Sequence, residues 1–320
     1  MPDSLDGSYV LPIRAQGTAH VSELSKYLRS VHRMQIIVVD GSDDETFAAL
    51  AAALPAWVEH VKPDADIAGV NGKVRGVVTG LRRARLDKIV IADDDVRYDP
   101  WSLRAVLSAL DRFDIVRPQN YFSPLPWHAV LDTSRMLVNR ALDGDWPGTL
   151  AFNKSFAPRG YNPDALFENL ELVRTVKARG GRETVRRDIY VRRRPPTTSH
   201  YFSQRVRQAY DEFARPARLF AALAILPICG AAVATHKPVV PFTIALGSMA
   251  LAAAGLVRAR GYRYLPWIGV ATAPLWIAER GVCAWLALYE RLRFGGVRYA
   301  GRIVKHAAST QRELREKWAV

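Results

Sequence analysis

The chain has 320 residues, of which 49% are hydrophobic and 24% charged, so it is long enough for one large or two modest domains and too apolar for a disordered chain. Its two cysteines, Cys229 and Cys283, exclude a disulfide framework and a cysteine-based zinc site. The net charge of +14 would favour nucleic-acid binding only if the basic residues formed a stripe on one folded module.

The position of the positive charge argues against a nucleic-acid partner. Residues 177–218 carry 12 Lys and Arg against 4 Asp and Glu, and residues 289–320 carry 8 against 3. These two segments flank the most apolar part of the chain, a pattern typical of the cytoplasmic flanks of membrane segments. We therefore expect an anionic membrane surface as a partner, and no nucleic acid.

Alternating strand and helix patterns run through the first part of the chain. The strand patterns cover Tyr9–Ile13, Met34–Val39, Val58–Val61 and Lys88–Ala92. Helix patterns lie between them, at 21–31, 44–53 and 71–85. The second and fourth strand patterns are continuous apolar runs, as in strands that are buried on both faces. The alternation predicts an α/β fold with a doubly wound, mostly parallel sheet.

Acidic residues follow two of these strands. Met34–Val39 leads into Asp40, and Lys88–Ala92 leads into Asp93, Asp94 and Asp95. Ligands bind beyond the carboxyl ends of strands in such sheets, and three adjacent carboxylates require a compensating cation. Side chains alternate along an extended chain, so Asp93 and Asp95 converge on one side while Asp94 points elsewhere. The pattern predicts a Mg²⁺ or Mn²⁺ site that a diphosphate completes; the alternative is a solvated turn or a helix cap.

Two further residues are candidates for nucleotide contacts. Asp40, beside Gly41, can accept hydrogen bonds from a base or a ribose, and its alternative role is an Asx-turn or a helix cap. Lys73 can approach a phosphate, although Val74 departs from the P-loop pattern. No Gly-rich dinucleotide fingerprint occurs, so kinase-type and Rossmann-type nucleotide sites have no support.

The segments IIVVDGSDDE, GKVRGVVTGLRRA and DKIVIADDDVRYDP resemble the donor-binding half of family-2 glycosyltransferases of the GT-A fold. The resemblance implies that Asp40 lies near the uracil or ribose of a nucleotide sugar. It implies that Asp93 and Asp95 form the DxD-type pair that holds a metal ion and the sugar diphosphate. Lys73 and Asp94 are grouped with the residues that bind the nucleotide sugar.

The acceptor half of the resemblance lies further along the chain. The segment 148–153 is similar to the loop beneath the sugar, and 167–172 is similar to the motif that opens an acceptor-side helix. The family's aspartate base is replaced by Asn169, whose amide cannot take a proton, so the role would pass to Glu168 or Glu171. These two share a helix face, and we favour Glu168 as the base. The alternative is that both are ordinary acidic residues of a first helical turn.

The segment Gln204–Gln208 resembles the QxxRW motif of processive and lipid-modifying members. Gln204 and Arg207 match that motif, and Gln208 replaces its tryptophan. The resemblance implies an interfacial helix on which Arg207 offsets the charge of the leaving diphosphate. The alternative is that this helix anchors the protein to anionic lipid.

Two charge-free apolar runs, about 219–235 and 239–257, are candidate membrane spans. A third apolar segment, 264–288, is interrupted by Glu279 and Arg280, and is therefore re-entrant, interfacial or spanning. The N-terminus lacks a signal-peptide pattern, so the first part of the chain is expected in the cytoplasm. Two spans would then return the chain to the cytoplasm at its basic tail.

These patterns predict four regions: a catalytic domain (1–200), an amphipathic interfacial helix (201–218), a membrane region (219–290) and a basic cytoplasmic tail (291–320). They predict a multi-pass cell-membrane protein. Within the family, the resemblance is to lipid-modifying members such as ceramide or hopanoid glucosyltransferases. Such an enzyme would use Mn²⁺ or Mg²⁺ to move a sugar, with inversion, from a nucleotide-diphosphate sugar to a hydroxyl of a lipid or lipid-linked acceptor. We expect the donor to be UDP-linked. The alternatives are a nucleotidyltransferase of similar fold and an inactive membrane scaffold.

Overall fold

The computed structural model describes residues 5–15, 17, 21–299 and 301–318. Its strands are β1 (Ser8–Ile13), β2 (Gln35–Asp40), β3 (Glu59–Val61), β4 (Lys88–Ala92), β5 (Val96–Arg97), β6 (Ile115–Phe122), β7 (Thr149–Asn153), β8 (Glu183–Arg193), β9 (Val297–Tyr299) and β10 (Arg302–Val304). Its α-helices are α1 (Val21–Ser30), α2 (Asp44–Ala53), α3 (Gly72–Arg83), α4 (Pro100–Ala109), α5 (Trp127–Ala141), α6 (Glu168–Ala178), α7 (Thr198–Ser203), α8 (Arg205–Tyr210), α9 (Pro216–Ala234), α10 (Val239–Val257), α11 (Ile268–Ala271), α12 (Ala273–Phe294) and α13 (Gln311–Trp318).

The chain divides into two compact units. The first comprises Met1–Pro118, Pro147–Val191 and Ser309–Val320, and the second comprises Gln119–Trp146 and Arg192–Ala308. This division differs from the sequence-based boundaries at two places. Gln119–Trp146, which the sequence assigned to the catalytic domain, belongs to the second unit. Ser309–Val320, the end of the expected tail, belongs to the first unit.

The large sheet has the strand order β3-β2-β1-β4-β7-β6-β8-β5. Strand β1 pairs in parallel with β2 and β4, and β2 pairs in parallel with β3. Strand β7 runs antiparallel to both β4 and β6, so that Thr149, its first residue, lies opposite Ala92, the last residue of β4. The predicted α/β sheet is confirmed as mostly parallel, and the antiparallel β7 brings a second chain segment to the end of β4.

Burial explains why β1, β2 and β4 are so apolar. In β2 the side chains from Ile36 to Val39 are at most 1% exposed, because helices cover both faces of the sheet. Helix α3 comes close to β1 through two glycines one turn apart. A Cβ placed at Gly80 would lie 2.3 Å from Val10 Cγ1, and one at Gly76 would lie 2.9 Å from Pro12 Cβ. The glycines therefore set the distance between α3 and the sheet.

The C-terminal helix α13 belongs to the first unit and packs on α6. Just before it, the backbone N–H of Ser309 donates to Glu171 Oε2 at 2.6 Å, and Arg174 Nη1 donates to the Ser309 carbonyl at 2.7 Å. The carboxylate of Glu171 is fully buried. After the apolar helices, the chain thus returns to the unit that holds the large sheet.

The second unit contains the apolar helices. Among the described residues, two helices, those beginning at Pro216 and Val239, are long and apolar enough to cross a membrane, and only 17% of each apolar window is buried. The C-terminal end of α10 is held by Arg140, whose guanidinium donates to the carbonyls of Gly255 and Arg258 at 3.1 and 2.6 Å. Arg140 thereby satisfies carbonyls that have no partner within the helix.

One sequence-based helix assignment needs correction. The segment 201–218 is not one amphipathic helix but α7, α8, a 3₁₀ turn at Asp211–Ala214 and the start of α9. Pro216 opens α9 and disfavours helical geometry at Arg215, whose backbone is at φ −136° and ψ 74°. The third apolar segment, 264–288, for which the sequence left a re-entrant, interfacial or spanning arrangement open, contains α11 and most of α12, which extends to Phe294.

Candidate active site

Three sequence-predicted residues from three separate segments meet at one ammonium group. Lys73 Nζ, in the first turn of α3, lies 2.5 Å from Asp93 Oδ1, just beyond β4. The same nitrogen donates to Glu168 Oε1, at the start of α6, over 2.8 Å. All three side chains are largely buried, with 18%, 22% and 12% of the side chain exposed. The donor-side and acceptor-side motifs are therefore joined by Lys73.

The charge of Lys73 is strongly favoured at this position. Burial by itself lowers the pKa of the ammonium, but the charges and hydrogen bonds of Asp93 and Glu168 outweigh burial and raise the pKa well above its ordinary value. Lys73 is therefore a permanent cation between two carboxylates.

Asn71 explains why α3 and α6 begin beside each other. Its side-chain oxygen caps α3 by accepting hydrogen bonds from the N–H groups of Lys73 and Val74. Its side-chain amide donates to the carbonyl of Ala165 at 2.8 Å, and its backbone N–H donates to the carbonyl of Pro163 at 2.8 Å. The cap thus ties the start of α3 to the loop that leads into α6. The sequence analysis missed Asn71, although its place before Gly72 and Lys73 is a helix-cap signal.

The acidic run after β4 is held by the segment before β7. The backbone N–H of Asp93 donates to the Gly148 carbonyl at 2.8 Å. Asp94 is exposed, and its carbonyl oxygen accepts from Arg97 Nη1 at 2.6 Å, while Asp95 is half-buried. Thr149 Oγ1 donates to the Ile91 carbonyl at 2.6 Å. The segment expected to lie beneath the sugar is therefore a strand packed beside Asp93.

The predicted cation site is a set of carboxylates from one strand end. No group of three or more His, Cys, Asp or Glu side chains in the described ranges is arranged to hold a metal ion by itself. Mg²⁺ is commonly held by one or two carboxylates together with phosphate oxygens of a substrate, and Asp93 and Asp95 fit that pattern. The contact between the Lys73 ammonium and Asp93 also shows that this carboxylate attracts a cation. The residues present thus fit a divalent cation that a diphosphate helps to bind.

Asp40 lies at the end of β2 and is completely buried. Its Oδ1 accepts from the Ser42 N–H at 2.9 Å, which is an Asx-turn, and its Oδ2 lies 3.1 Å from His60 Nε2. Burial by itself raises the pKa of Asp40, but the hydrogen bonds from His60 and Ser42 lower it below its ordinary value. His60 stacks on Phe47 with ring centres 4.2 Å apart. His60 and Phe47 are residues that the sequence analysis did not select.

The two other acidic-motif residues have different surroundings from Glu168. Asn169 donates from Nδ2 to the Pro147 carbonyl at 2.9 Å, next to the glycine that accepts from Asp93. Glu171 is buried and bound to the Ser309 N–H. Glu168 therefore contacts the donor-side residues, while Asn169 and Glu171 bind backbone groups.

Tyr161 is a further buried residue near this group. It is 6% exposed, and burial raises the pKa of its hydroxyl far above the ordinary value, with Lys73, Glu168 and Asp93 among the charges acting on it. No motif in the sequence marks this tyrosine.

Gln204 and Arg207 belong to the second unit. Gln204 lies at the junction of α7 and α8, and its Nε2 is 3.4 Å from Ser203 Oγ. The guanidinium of Arg207 lies 4.9 Å from the centre of the Tyr299 ring. Arg207 is thus on α8 and Gln204 is the residue between α7 and α8, so both precede the apolar helices.

Residues 22–166 match the model for glycosyl transferase family 2. Among solved structures, the mannosyltransferase PcManGT from Pyrobaculum calidifontis, in complex with GDP-Man and Mn²⁺, is 18% identical, with 92% of this chain and 88% of that chain covered and a TM-score of 0.54. Glucosyl-3-phosphoglycerate synthase from Mycobacterium tuberculosis is 16% identical, with 63% and 77% covered and a TM-score of 0.44. No curated protein sequence matches the chain significantly. The likeness to the mannosyltransferase structure and the strand order together show that the fold is a GT-A-type, mostly parallel curled sheet.

Proposed function

We propose that this chain moves a sugar from a nucleotide-diphosphate sugar to a hydroxyl of a lipid or lipid-linked acceptor. The premise is its glycosyltransferase family 2 domain, which makes the chain a glycosyltransferase. The reaction would proceed with inversion and with a divalent cation. The donor is proposed to be UDP-linked, with GDP-linked donors as the other class to test.

One observation carries this proposal: Lys73 Nζ contacts both Asp93 and Glu168. Asp93 lies where a parallel sheet binds its ligands, beyond the carboxyl end of β4. Glu168 begins the helix that the resemblance assigns to the acceptor. A donor diphosphate at Asp93 and an acceptor hydroxyl at Glu168 would therefore be neighbours, which transfer between them requires.

The donor is proposed to bind at the ends of β2 and β4. A divalent cation bound by Asp93 and Asp95 would neutralise the diphosphate, and the complex of the Pyrobaculum mannosyltransferase with GDP-Man and Mn²⁺ supports this choice of ligands. Lys73 would add a second positive charge beside the phosphates. Asp40 would support the nucleoside end through the Ser42 turn and the His60 ring that it holds.

Transfer then requires one base and one leaving group. The acceptor oxygen forms a bond to the anomeric carbon of the sugar, and the bond from that carbon to the diphosphate oxygen breaks. The hydroxyl proton passes to the Glu168 carboxylate, and the nucleoside diphosphate leaves with its electron pair. Arg207 and Gln204 are proposed to bind that leaving group, as in the QxxRW motif that they resemble.

Glu168 is a better candidate base than Glu171 because of their different contacts. Glu168 faces the donor-side lysine, whereas Glu171 is fully buried and accepts a backbone hydrogen bond from Ser309. A base must reach the acceptor hydroxyl, and a fully buried carboxylate that accepts a hydrogen bond from a backbone N–H does not do so. We therefore assign Glu171 to the attachment of the C-terminal segment.

A membrane location is supported by α9 and α10 and by the return of the chain to the first unit. The two helices expose large apolar side chains, including Phe220, Val233 and Phe242 at 62–71%. Since α13 packs on α6, the C-terminal segment and the sheet would lie on the same side of a membrane that α9 and α10 cross. This favours two crossings by α9 and α10, with α12 not adding a third. By the positive-inside rule that side is the cytoplasm.

The test is product formation from labelled donors. Purified full-length protein in lipid vesicles is incubated with UDP-glucose, UDP-galactose, UDP-N-acetylglucosamine or GDP-mannose, a lipid extract and Mn²⁺. Formation of a labelled glycolipid with release of nucleoside diphosphate supports the proposal. Consumption of nucleoside triphosphate and sugar phosphate with release of pyrophosphate would instead identify a nucleotidyltransferase. Turnover of none of these substrates would favour the inactive scaffold.

A further inference from the structure

Helix α12 carries two buried side chains with donors that lack an acceptor. Trp276 and Arg280 lie one turn apart and are 5% and 6% exposed. Trp276 Nε1 and the Nε and Nη1 of Arg280 are buried and make no hydrogen bond to any part of the chain that the structure describes. The guanidinium carbon of Arg280 is 5.6 Å from the centre of the Trp276 ring. Three unsatisfied N–H donors are therefore concentrated on one helix face.

The nearby carboxylates are already bound to other arginines. Both oxygens of Glu279 accept hydrogen bonds from Arg205, at 3.2 and 2.7 Å. Asp132 accepts from Arg205 at 3.2 Å and from Arg135 at 2.8 Å. A buried guanidinium destabilises a protein unless it is paired and hydrogen-bonded. Glu212, whose charge also acts on Arg280, is paired with Arg215 and Arg218. The buried nitrogen donors of Trp276 and Arg280 thus lack an acceptor, and an anionic ligand would supply one.

The residue that follows Arg280 packs against a helix that is a candidate membrane span. A Cβ placed at the next residue, Gly281, would lie 3.1 Å from Ile225 Cγ2 and 3.5 Å from Leu226 Cδ2. These two residues belong to α9, one of the two helices apolar enough to cross a membrane, and Leu226 is 39% exposed. An ionisable side chain among membrane helices commonly marks a ligand site. An anion arriving in such apolar surroundings is best carried on a lipid.

We propose that Arg280 and Trp276 bind the phosphate group of a lipid. Phosphate oxygens accept hydrogen bonds, and an arginine donates to phosphate in a strong, charge-assisted manner. The indole N–H of Trp276 supplies a further donor to the same group. This site rests on the proposed membrane association of α9, and it is separate from the donor-binding residues of the first unit.

The experiment measures ligand-induced thermal stabilisation of the purified full-length protein in an uncharged detergent. Three probes are titrated: dioctanoyl phosphatidic acid, dioctanoylglycerol, which has the same acyl chains without phosphate, and inorganic phosphate. Wild type is compared with Arg280→Met, with Trp276→Phe and with Arg293→Met, which removes an exposed arginine from the same helix. Binding of UDP or GDP with Mn²⁺ to each variant is measured in parallel, so that a failure of the donor site is recognised separately.

We expect phosphatidic acid to raise the unfolding temperature of wild type and of Arg293→Met. Its affinity should be at least tenfold lower for Arg280→Met and should also be reduced for Trp276→Phe. Without ligand, Arg280→Met should be at least as stable as wild type, because it removes two buried nitrogen donors that have no acceptor. Equal responses to dioctanoylglycerol, an undiminished response in Arg280→Met, or equally tight binding of inorganic phosphate would each overturn the assignment of a lipid phosphate. A loss of stability in ligand-free Arg280→Met would also overturn it, because the arginine would then have a structural role.

Discussion

Lys73 and Glu168 are joined by a 2.8 Å hydrogen bond between side chains that lie 95 positions apart in the chain. Asp93 contacts the same ammonium, so Lys73 connects the proposed donor site to the proposed base. Asn71 maintains this arrangement, because its side chain caps α3 and also binds the loop before α6. The proposed chemistry depends on this contact between helices.

Removal of the Lys73 ammonium should destabilise the ligand-free protein. In Lys73→Met, Asp93 and Glu168 lose their shared cation, and we expect a loss of about 1–3 kcal/mol, the usual cost of leaving largely buried charged groups unsatisfied. Mn²⁺ should recover part of this loss by binding the uncompensated carboxylates. Thermal unfolding with and without Mn²⁺ checks this. The matched control is Lys88→Met, which removes the more exposed pair with Asp111 and should cost less than about 1 kcal/mol.

The two glutamates of α6 should respond differently to neutralisation. Glu168→Gln should retain donor binding and lose about 10²–10⁴-fold in transfer rate, the usual contribution of a general base. Glu171→Gln should keep its transfer rate within a few-fold but unfold at a lower temperature, since the Ser309 N–H loses a charged acceptor. Steady-state rates and unfolding temperatures of both variants separate the roles. The opposite pattern would move the base to Glu171.

Asn169→Asp tests whether the family's aspartate can be restored. Asn169 donates to the Pro147 carbonyl, and a carboxylate at this position would repel that oxygen. We therefore expect Asn169→Asp to be less stable by about 1–3 kcal/mol and no faster in transfer. Measurement of kcat and of the unfolding temperature in the same preparations decides the matter. A large gain in kcat would show that position 169 still has access to the acceptor.

The close approach of α3 to β1 predicts a contrast between two glycines of the same helix. Gly80→Ala places a methyl group 2.3 Å from Val10 Cγ1, and we expect a destabilisation of about 1–3 kcal/mol from overpacking. Because α3 carries Lys73, donor affinity should also fall. Gly72→Ala is the control, since no atom lies within 4 Å of a Cβ there. If unfolding temperature and donor binding of Gly80→Ala match those of the control, the glycine does not set this distance.

Membrane topology can be tested with reporters at the two ends of the chain. The two crossings that we propose for α9 and α10 would place both ends on the cytoplasmic side, which is compatible with the packing of α13 on α6. Reporter activity or protease accessibility at each end provides the measurement. A C-terminal reporter outside the cell, with the N-terminal one inside, would mean that α12 crosses as well.

Much of the first unit could be predicted because its local signals agree with its packing. The apolar runs of β2 and β4 are buried on both faces, and α2 and β4 have the predicted bounds, as does α10 in the second unit. Glu168 begins α6, as its motif indicates. Periodicity and composition are local, and these elements depend mainly on local pattern.

Other features depend on contacts distant in sequence and left no local signal. The stacking of His60 on Phe47 and its bond to Asp40 arise from the pairing of β3 with β2. The return of Ser309 to Glu171 crosses 138 positions. The break in the predicted helix 201–218 does have a local cause, Pro216. The alternation of apolar and basic residues nevertheless favoured one continuous helix.

The most direct test of the account is calorimetric titration of UDP and GDP into full-length protein, with and without Mn²⁺. Wild type is compared with Asp95→Ala and with Asp111→Ala, which removes a surface carboxylate outside the site. The account predicts that one nucleoside diphosphate binds only with Mn²⁺, that Asp111→Ala binds equally well, and that Asp95→Ala loses at least tenfold in affinity. Binding that is independent of Mn²⁺ and unchanged in Asp95→Ala would contradict it.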